Sequence, residues 1–469
     1  MSDWAGVSDW ATASSIATAV RDGSASASEV TRAALDRIDR RNPSLNAFTA
    51  VTAERAVTRA RALDDARAAG TPLGPLAGVP FAVKNLIDIA GLATRAGSRI
   101  NRTRPSAAAD ATLVARLEAA GAVLMGALNM GEYAYDFTGE NSHDGPSRNP
   151  HDRMRMTGGS SGGSAGAVAG GLVPLALGSD TNGSIRVPAS FCGLFGLKPT
   201  FGRLSRAGSF PFVASLDHLG PMARSVADLA LAYDAMQGPD PADPACAQRA
   251  CEPTLATLPR SARGLRIAVA GGYFQDGASA EALQAVARVA DALGATQTIE
   301  LPESARARSA AYVITTTEGA ALHLARLQTR ADEFDPDVRD RLIAGALLPA
   351  PFAVQAQKFR RWYRDAVLRC FADIDALVAP ATPTTAPLIG QKILVLDGVE
   401  MPLRPNIGVY TQPISFIGLP VAVVPVATGA LPIGVQVIAP PWREDIALQI
   451  AFDLEQRGIA EVPRPAGLA

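Results

Sequence analysis

The chain has 469 residues, 48% hydrophobic and 19% charged, which provides enough apolar material for a sizeable core and excludes general disorder. Its net charge of −1 gives no field of one sign that would attract nucleic acid or an anionic membrane. No run of about 18 uninterrupted apolar residues occurs, so we expect no membrane-spanning helix. The N-terminus lacks the basic and apolar regions of a signal peptide.

The four cysteines show neither a CxxC pair nor a metal-binding spacing. Reduced thiols in a cytoplasmic protein are therefore expected. Cys246 and Cys251 lie close together in a proline-rich loop and could pair, although we favour free thiols.

Residues 1–70 predict N-terminal helices. Ser26 and Glu29 fit a capping box, in which the serine oxygen and the glutamate each satisfy a free backbone N–H. Apolar residues follow at helical spacing until Pro43, and a second helix is expected from about 53 to 69 with a solvated charged face. These helices could pack on the rest of the protein or offer a surface to a partner, and the sequence leaves both possibilities open.

From Gly74 onwards, short apolar runs bounded by glycine and proline alternate with helical patterns, which is typical of a sheet covered by helices on both faces. A strand is predicted over 79–83, ending at Lys84, followed by a helix at about 111–120 and a buried strand over 122–126. Further strands are predicted over 172–178, 266–270, 376–380, 421–425 and 431–438. The sequence therefore predicts an α/β fold.

We predict a single domain over 1–469 that has four parts. Helices over 1–70 precede a catalytic core over 71–237, and 352–469 complete the sheet. Between them, residues 238–351 combine proline-rich loops with long alanine- and arginine-rich helices. We expect this third part to be a variable outer layer that lies outside the site.

Two glycine- and serine-rich turns, 158–164 and 178–184, stand out within the segment 156–200. A flexible linker is a poor interpretation, because alanine, valine and leucine alternate with the glycines. Close backbone packing remains an alternative. Since there is no GxSxG elbow at a predicted strand-to-helix turn, no GxxxxGK[ST] loop and no metal-ligand histidine pair, serine with lysine is the remaining amide-cleaving combination.

Lys84 is one of only four lysines in the chain, and it lies at the end of an apolar strand. Burial there would favour the neutral amine and lower its pKa. The alternative is a strand-end cation that reaches solvent along its alkyl stem.

The sequence around these residues resembles the amidase signature family. The resemblance rests on AVKN at Lys84, on GGSSGGSAGAVAGGLVPLALGSDTNGSIRVPAS over 158–190 and on the following FCGLFGLKPT, and it extends from about residue 10 to 455. It implies a large mixed sheet, no cofactor and no metal. It further implies a triad in which Ser184 is the nucleophile, Ser160 a relay with a cis Gly159–Ser160 peptide, and Lys84 the base.

The resemblance also implies an oxyanion hole formed by the backbone N–H groups of Thr181, Asn182, Gly183 and Ser184. Asn182 stands where the family commonly has glycine, so its amide is expected to point towards the acyl pocket, with turn capping as the alternative. Tyr133 and Tyr135 of the loop 130–138 are candidates for the pocket wall. Gly131 in that loop replaces an acidic residue that is common in relatives.

A substrate carboxylate calls for an arginine, because the guanidinium binds carboxylates bidentately. Arg186, two residues after the nucleophile, is one candidate, although a structural ion pair is the favoured role. The 40 arginines of the chain leave the choice open.

SDTNGSIRVPAS, GPSRNPHD and KPTFGRLSRAGS resemble more narrowly the branch of the family that removes the terminal amide nitrogen of 1-carboxybiuret as ammonia. This implies a small anionic substrate and a small helical accessory subunit, with the two chains forming an oligomer and with no direct contact to nucleic acid or membrane. The alternatives are the glutaminase component of a tRNA-dependent amidotransferase and a catalytically silent scaffold. Retention of Lys84, Ser160 and Ser184 together argues against the scaffold.

Overall fold

The computed structural model describes residues 8–396 and 398–466, so the part of the signal-peptide prediction that rests on residues 1–7 lies outside the described residues. The described helices are α1 (Ala13–Asp22), α2 (Ala27–Leu45), α3 (Ala53–Ala68), α4 (Thr112–Ala119), α5 (Gly162–Ala169), α6 (Arg186–Cys192), α7 (Val226–Met236), α8 (Ala280–Leu293), α9 (Ser304–Arg330), α10 (Pro336–Ala346), α11 (Ala350–Cys370), α12 (Leu403–Asn406), α13 (Gln412–Phe416) and α14 (Glu444–Gln456). Within these residues, no helix has the length and apolar character needed to cross a membrane.

The described strands are β1 (Phe48–Val51), β2 (Pro80–Lys84), β3 (Val123–Leu128), β4 (Arg148–Asn149), β5 (Asp152–Met156), β6 (Leu175–Asp180), β7 (Phe195–Lys198), β8 (His218–Ala223), β9 (Ile267–Ala270), β10 (Gln297–Ile299), β11 (Ala376–Pro380), β12 (Ile393–Leu396), β13 (Val399–Pro402), β14 (Val421–Ala427) and β15 (Pro432–Ile438). Eleven of them form one sheet in the order β1-β3-β2-β6-β8-β7-β14-β15-β11-β9-β10. Two small hairpins, β4–β5 and β12–β13, lie outside it.

The main sheet is mixed, which confirms the predicted α/β class. Strand β2 runs parallel to both β3 and β6, whereas the pairings from β6 through β8, β7, β14, β15 and β11 are antiparallel. The parallel pattern returns where β11 meets β9 and β9 meets β10. Every residue of β2, β6, β8 and β15 is buried, so both faces of the sheet are covered at its centre.

The capping box at the start of α2 is confirmed. The Ser26 hydroxyl accepts from the Glu29 N–H at 3.1 Å, and the Glu29 carboxylate accepts from the Ser26 N–H at 3.0 Å. The helix nevertheless passes Pro43 and ends at Leu45. Its end is set by Asn46, which adopts a left-handed conformation and donates its N–H to the Asn42 carbonyl, and not by the proline.

The predicted strands are present, with shifted ends. Strand β6 begins at Leu175, directly after Pro174, and continues to Asp180 instead of stopping at 178. Strands β1, β7, β8 and β10 of the main sheet were not predicted, because they are short or contain proline or glycine, and neither were the strands of the two hairpins. All four cysteines are free, including Cys246 and Cys251.

The expectation that residues 238–351 lie outside the site is wrong. This region supplies β9 and β10 to one end of the main sheet. Its helices α9 and α10 also carry side chains that line the pocket at Ser184. The long alanine- and arginine-rich helices are therefore part of the wall around the chemistry.

Candidate active site

Lys84 lies fully buried at the end of β2. Its Nζ donates to the hydroxyl of Ser160 at 2.6 Å and to that of Ser179 at 2.8 Å. Burial lowers the pKa of Lys84 to about 7, against the opposing effect of the carboxylates of Asp217, Asp180 and Asp136. A neutral amine with its lone pair directed at a serine hydroxyl is therefore accessible near neutral pH, as a general base requires.

Ser160 is fully buried in the turn that leads into α5. The Gly159–Ser160 peptide is cis, in agreement with the expectation from the resemblance. Gly159 has no room for a side chain, because a Cβ there would lie 2.4 Å from Asp136 Oδ2 and 2.7 Å from the Gly139 nitrogen. The glycines of this turn thus allow the backbone to bring Ser160 against Lys84.

Ser184 follows β6 in the second turn and lines a pocket. Gly183, just before it, has φ +142°, and a Cβ there would lie 2.2 Å from Thr411 Oγ1. The structure joins Lys84 to Ser160, but it does not join Ser160 to Ser184: in the described part of the chain the Ser184 hydroxyl has no hydrogen-bond partner. Ser184 therefore faces the pocket with its oxygen uncommitted.

The backbone around Ser184 has the features of an oxyanion hole. Within residues 8–396 and 398–466, the N–H groups of 181–184 donate to no protein atom. Two hydrogen bonds hold this turn in place: the Thr181 hydroxyl donates to Asp217 at 2.6 Å, and the Thr411 hydroxyl donates to the Asn182 carbonyl at 2.6 Å. Four free amides in a fixed turn beside a serine can stabilise a developing oxyanion.

Arg186 is not a substrate ligand, which corrects one of the candidate assignments. It is fully buried and makes a bidentate pair with Asp180 at 2.9 and 3.0 Å. It also donates to the Thr411 carbonyl and to Gln436 Oε1. The pair opposes the effect of burial and lowers the pKa of Asp180. The structural ion pair that the sequence favoured is the observed role.

Of the two tyrosines proposed for the pocket wall, one lines the pocket and the other does not. Tyr133 is 1% exposed and packs against His323, with the ring centroids 4.0 Å apart, away from the pocket, so its assignment to the pocket wall is wrong. Tyr135 lines the pocket, with the guanidinium of Arg341 3.9 Å from its ring centroid. The backbone reverses direction between them, because Tyr133 and Ala134 have φ values of +49° and +62°.

The pocket above Ser184 is built largely by residues that the sequence analysis did not single out. Thr181, Asn182 and Ser184 of the turn line it, together with residues 134–137. The other lining residues are Phe212, Arg308, Tyr312, Thr315, Arg341, Arg404, Pro405 and Gln412. No motif marks these side chains, because they come together only when α9, α10 and the segment 404–412 fold over the turn.

The arginines of this pocket are not equivalent. Arg404 is neutralised by Asp136 at 2.7 Å, Asp337 at 3.0 Å and Glu140 at 3.2 Å. Arg308 donates to the oxygens of Gln412, Pro405 and Asn406, all of which are uncharged. Arg341 donates to the carbonyls of Asp337 and Tyr135.

Neither Arg308 nor Arg341 forms an ion pair with any described residue. The pocket therefore holds two positive charges without a carboxylate partner. Such guanidinium groups are suited to bind an anionic ligand.

A buried lysine–serine pair, and a pocket that contains an uncommitted serine in a turn with free backbone amides, are groups that amide hydrolysis by a serine requires. The comparisons agree. The family model for Amidase matches residues 29–448. The chain is 54% identical over 446 residues to AtzE, a component of the 1-carboxybiuret hydrolase of Pseudomonas sp. (strain ADP), covering 94% of this chain and 98% of that protein.

It is also 38% identical over 477 residues to a component of the glutamyl-tRNA(Gln) amidotransferase of Chromohalobacter salexigens, covering 95% of this chain and 96% of the relative. A solved structure of a vestigial protein complex, described as showing the evolutionary origins of an s-triazine catabolic enzyme, matches with a TM-score of 0.96 at 53% identity, covering 97% of this chain and all of the other. The chain belongs to the amidase family, and it is an amide hydrolase.

Proposed function

We propose that the protein hydrolyses the terminal amide of a small anionic acylurea, specifically 1-carboxybiuret, to urea-1,3-dicarboxylate and ammonia. The observation that carries the proposal is a single pocket that contains Ser184, the free amides of its turn and two unpaired guanidinium groups. The 54% identity to a component of a 1-carboxybiuret hydrolase supports this substrate.

In the first half of the reaction, the Ser184 hydroxyl hydrogen-bonds to Ser160 once substrate fills the pocket, a contact that often tightens only in the complex. Neutral Lys84 takes the proton of Ser160, which takes that of Ser184. The Ser184 oxygen forms a bond to the carbonyl carbon, and the π electrons of the C=O bond move to its oxygen. The amides of 181–184 stabilise that oxyanion.

In the second half, the oxyanion collapses and the C–N bond breaks. The leaving nitrogen receives its proton from the Lys84 ammonium through Ser160 and departs as ammonia. Water then attacks the acyl-enzyme, giving its proton to the same relay. Ser184 recovers its hydroxyl hydrogen, and the product leaves as a carboxylate.

The two unpaired arginines account for the charge of the substrate. Arg308 comes from α9 and Arg341 from α10, so both lie on helices that close over the turn. A carboxylate on the substrate would offer each a charge-assisted hydrogen bond, whereas a neutral amide would leave both charges uncompensated. The proposal therefore assigns substrate-anion recognition to Arg308 and Arg341.

The proposal includes a small helical accessory subunit that forms an oligomer with this chain, supported by the solved complex to which the chain is similar. It also includes a cytoplasmic location, supported by the four free cysteines. The chain is proposed to act as one domain, because one apolar cluster contains residues from Ala13 to Ala460.

The test is an ammonia-release assay with the full chain, together with any protein that co-purifies, across 1-carboxybiuret, biuret, glutamine and a simple alkyl amide. We expect 1-carboxybiuret to be turned over with the highest kcat/KM. Turnover of glutamine in the presence of charged tRNA instead would favour the amidotransferase function that the 38% identical relative suggests. Failure of a fluorophosphonate probe to label Ser184 in the folded protein would contradict both and favour a scaffold.

A further inference from the structure

In the side chain of Asn182, the amide nitrogen is hydrogen-bonded and the amide oxygen is not. Its Nδ2 donates to the Thr315 hydroxyl at 2.9 Å, whereas its Oδ1 is buried without a partner. Asn182, Thr315 and Ser184 all line the same pocket, and Asn182 is only 7% exposed. A buried amide oxygen without a partner is unfavourable unless a ligand donates to it.

Thr315 is available to orient this amide because its hydroxyl is not used by its own helix. The next two threonines of α9 donate to carbonyls one turn back: Thr316 to Tyr312 and Thr317 to Val313. In the described structure, the hydroxyl of Thr315 bonds to Asn182 alone. With its nitrogen held by Thr315, Asn182 presents its oxygen as an acceptor.

Two other acceptors near the turn are already occupied. Asp136 accepts from Arg404 and from Thr138, and Gln412 Oε1 accepts from Arg308. The turn amides and the guanidinium groups are donors, and the Tyr135 hydroxyl, which is buried without a partner, can both donate and accept. Asn182 Oδ1 is therefore an acceptor in a pocket otherwise dominated by donors, two residues before the proposed nucleophile.

We infer that Asn182, oriented by Thr315, selects substrates that carry an N–H beside the scissile carbonyl, namely acylureas and imides, over carboxamides that carry a CH₂ there. The inference rests on the proposed function, in which Ser184 attacks the carbonyl in this pocket. An N–H in that position donates to Asn182 Oδ1. A CH₂ in the same position shields the oxygen from water and gives it no partner.

The test compares two ligands of equal size and charge: allophanate, with an N–H between its two carbonyl groups, and malonamate, with a CH₂ there. Their dissociation constants are measured by titration with the full-chain Ser184→Ala protein, so that neither ligand is consumed. We expect allophanate to bind about tenfold more tightly. Equal binding, tighter binding of malonamate, or no binding of either ligand would overturn the inference.

Two further variants in the same background test the residues. Asn182→Gly and Thr315→Val should each reduce the preference for allophanate to about twofold or less, since the first removes the acceptor and the second its orientation. The matched control is Thr317→Val, an identical change two residues along the helix, and it should retain the full preference. A preference that survives in both Asn182→Gly and Thr315→Val would assign the selection to other groups and overturn the inference.

The binding experiment and the ammonia assay can give opposite outcomes, so failure of the N–H selection can be distinguished from failure of the proposed function. A protein that releases no ammonia from 1-carboxybiuret, but binds allophanate in preference to malonamate through Asn182, contradicts the proposed function and retains the N–H selection. A protein that hydrolyses 1-carboxybiuret but binds both ligands equally retains the function and loses the selection.

Discussion

The two turns, 158–164 and 178–184, and the helices over 304–346 are built in opposite ways, although the second turn and the helices line one pocket. The turns are buried throughout, and glycines without space for a side chain fix their backbone. The helices contribute long side chains such as Arg308 and Arg341, whose polar contacts are mostly to uncharged oxygens. The proposed function assigns the chemistry to the turns and the recognition of substrate charge to the helices. Changes in the turns should lower kcat, and changes in the helices should raise KM.

The largest effect is expected from Lys84→Met. Because this change removes the proposed base, we expect kcat to fall by about 10²- to 10⁴-fold in the ammonia assay. The matched control is Lys198→Met. Lys198 is also fully buried, and burial lowers its pKa to about 7, but among the described residues its Nζ donates only to the Pro199 carbonyl. An equal loss in both variants would show that Lys84 matters for folding and not for proton transfer.

The pH dependence tests the same base without a substitution. The pKa of Lys84 is lowered to about 7, so below that pH the amine is protonated and has no lone pair for Ser160. We expect kcat/KM to fall about tenfold per pH unit below 7 and to level off above it. A profile that stays flat from pH 5 to about 8 would contradict a titrating lysine base.

Charge recognition by the helices is tested by Arg308→Gln and Arg341→Gln. Each should raise KM for the anionic substrate by about 10- to 100-fold, because a charge-assisted hydrogen bond is lost, with little change in kcat. In the same two variants, KM for neutral biuret should rise much less. Arg326→Gln serves as the control, since this arginine of α9 lies over Phe210 and outside the pocket. A fall in kcat without a change in KM would contradict the assignment of charge recognition to the helices.

A smaller effect on the turn is expected from Thr181→Val, which removes the hydrogen bond to Asp217. Because the turn amides would be held less firmly, we expect kcat to fall about tenfold while KM is nearly unchanged. Thr181→Ser keeps the hydroxyl and should restore the rate. A serine variant as slow as the valine variant would contradict the role assigned to the hydrogen bond between the hydroxyl at 181 and Asp217.

The smallest effect lies outside both regions, at the capping box of α2. Ser26→Ala should reduce the free energy of unfolding by about 1 kcal/mol, measured by urea denaturation, and leave kcat unchanged. Ser28→Ala is the control, since Ser28 lies in the same first turn but is not the capping residue. A loss of activity in Ser26→Ala would connect the N-terminal helices to the site.

Several features of this protein could be read from local sequence. Lys84 at the end of an apolar strand and the glycine-bounded Ser160 were both singled out from the sequence and its family resemblance, and the fold joins these two side chains. The apolar runs between glycines and prolines predicted the α/β class, because burial on both faces of a strand is visible in consecutive residues. The capping box was equally local, since its two partners are three residues apart.

Only the tertiary structure decided which side chains line the pocket. Tyr133 and Tyr135 are neighbours in sequence, but two residues with positive φ send one into an aromatic cluster and the other to the pocket. The hydrogen bond between Asn182 and Thr315 joins positions 133 residues apart. Arg404 is neutralised by three carboxylates, whereas Arg308 and Arg341 are not. A guanidinium group or a side-chain amide remains unpaired only if no partner reaches it when distant segments pack. Those partners are far away in sequence, so local sequence does not predict them.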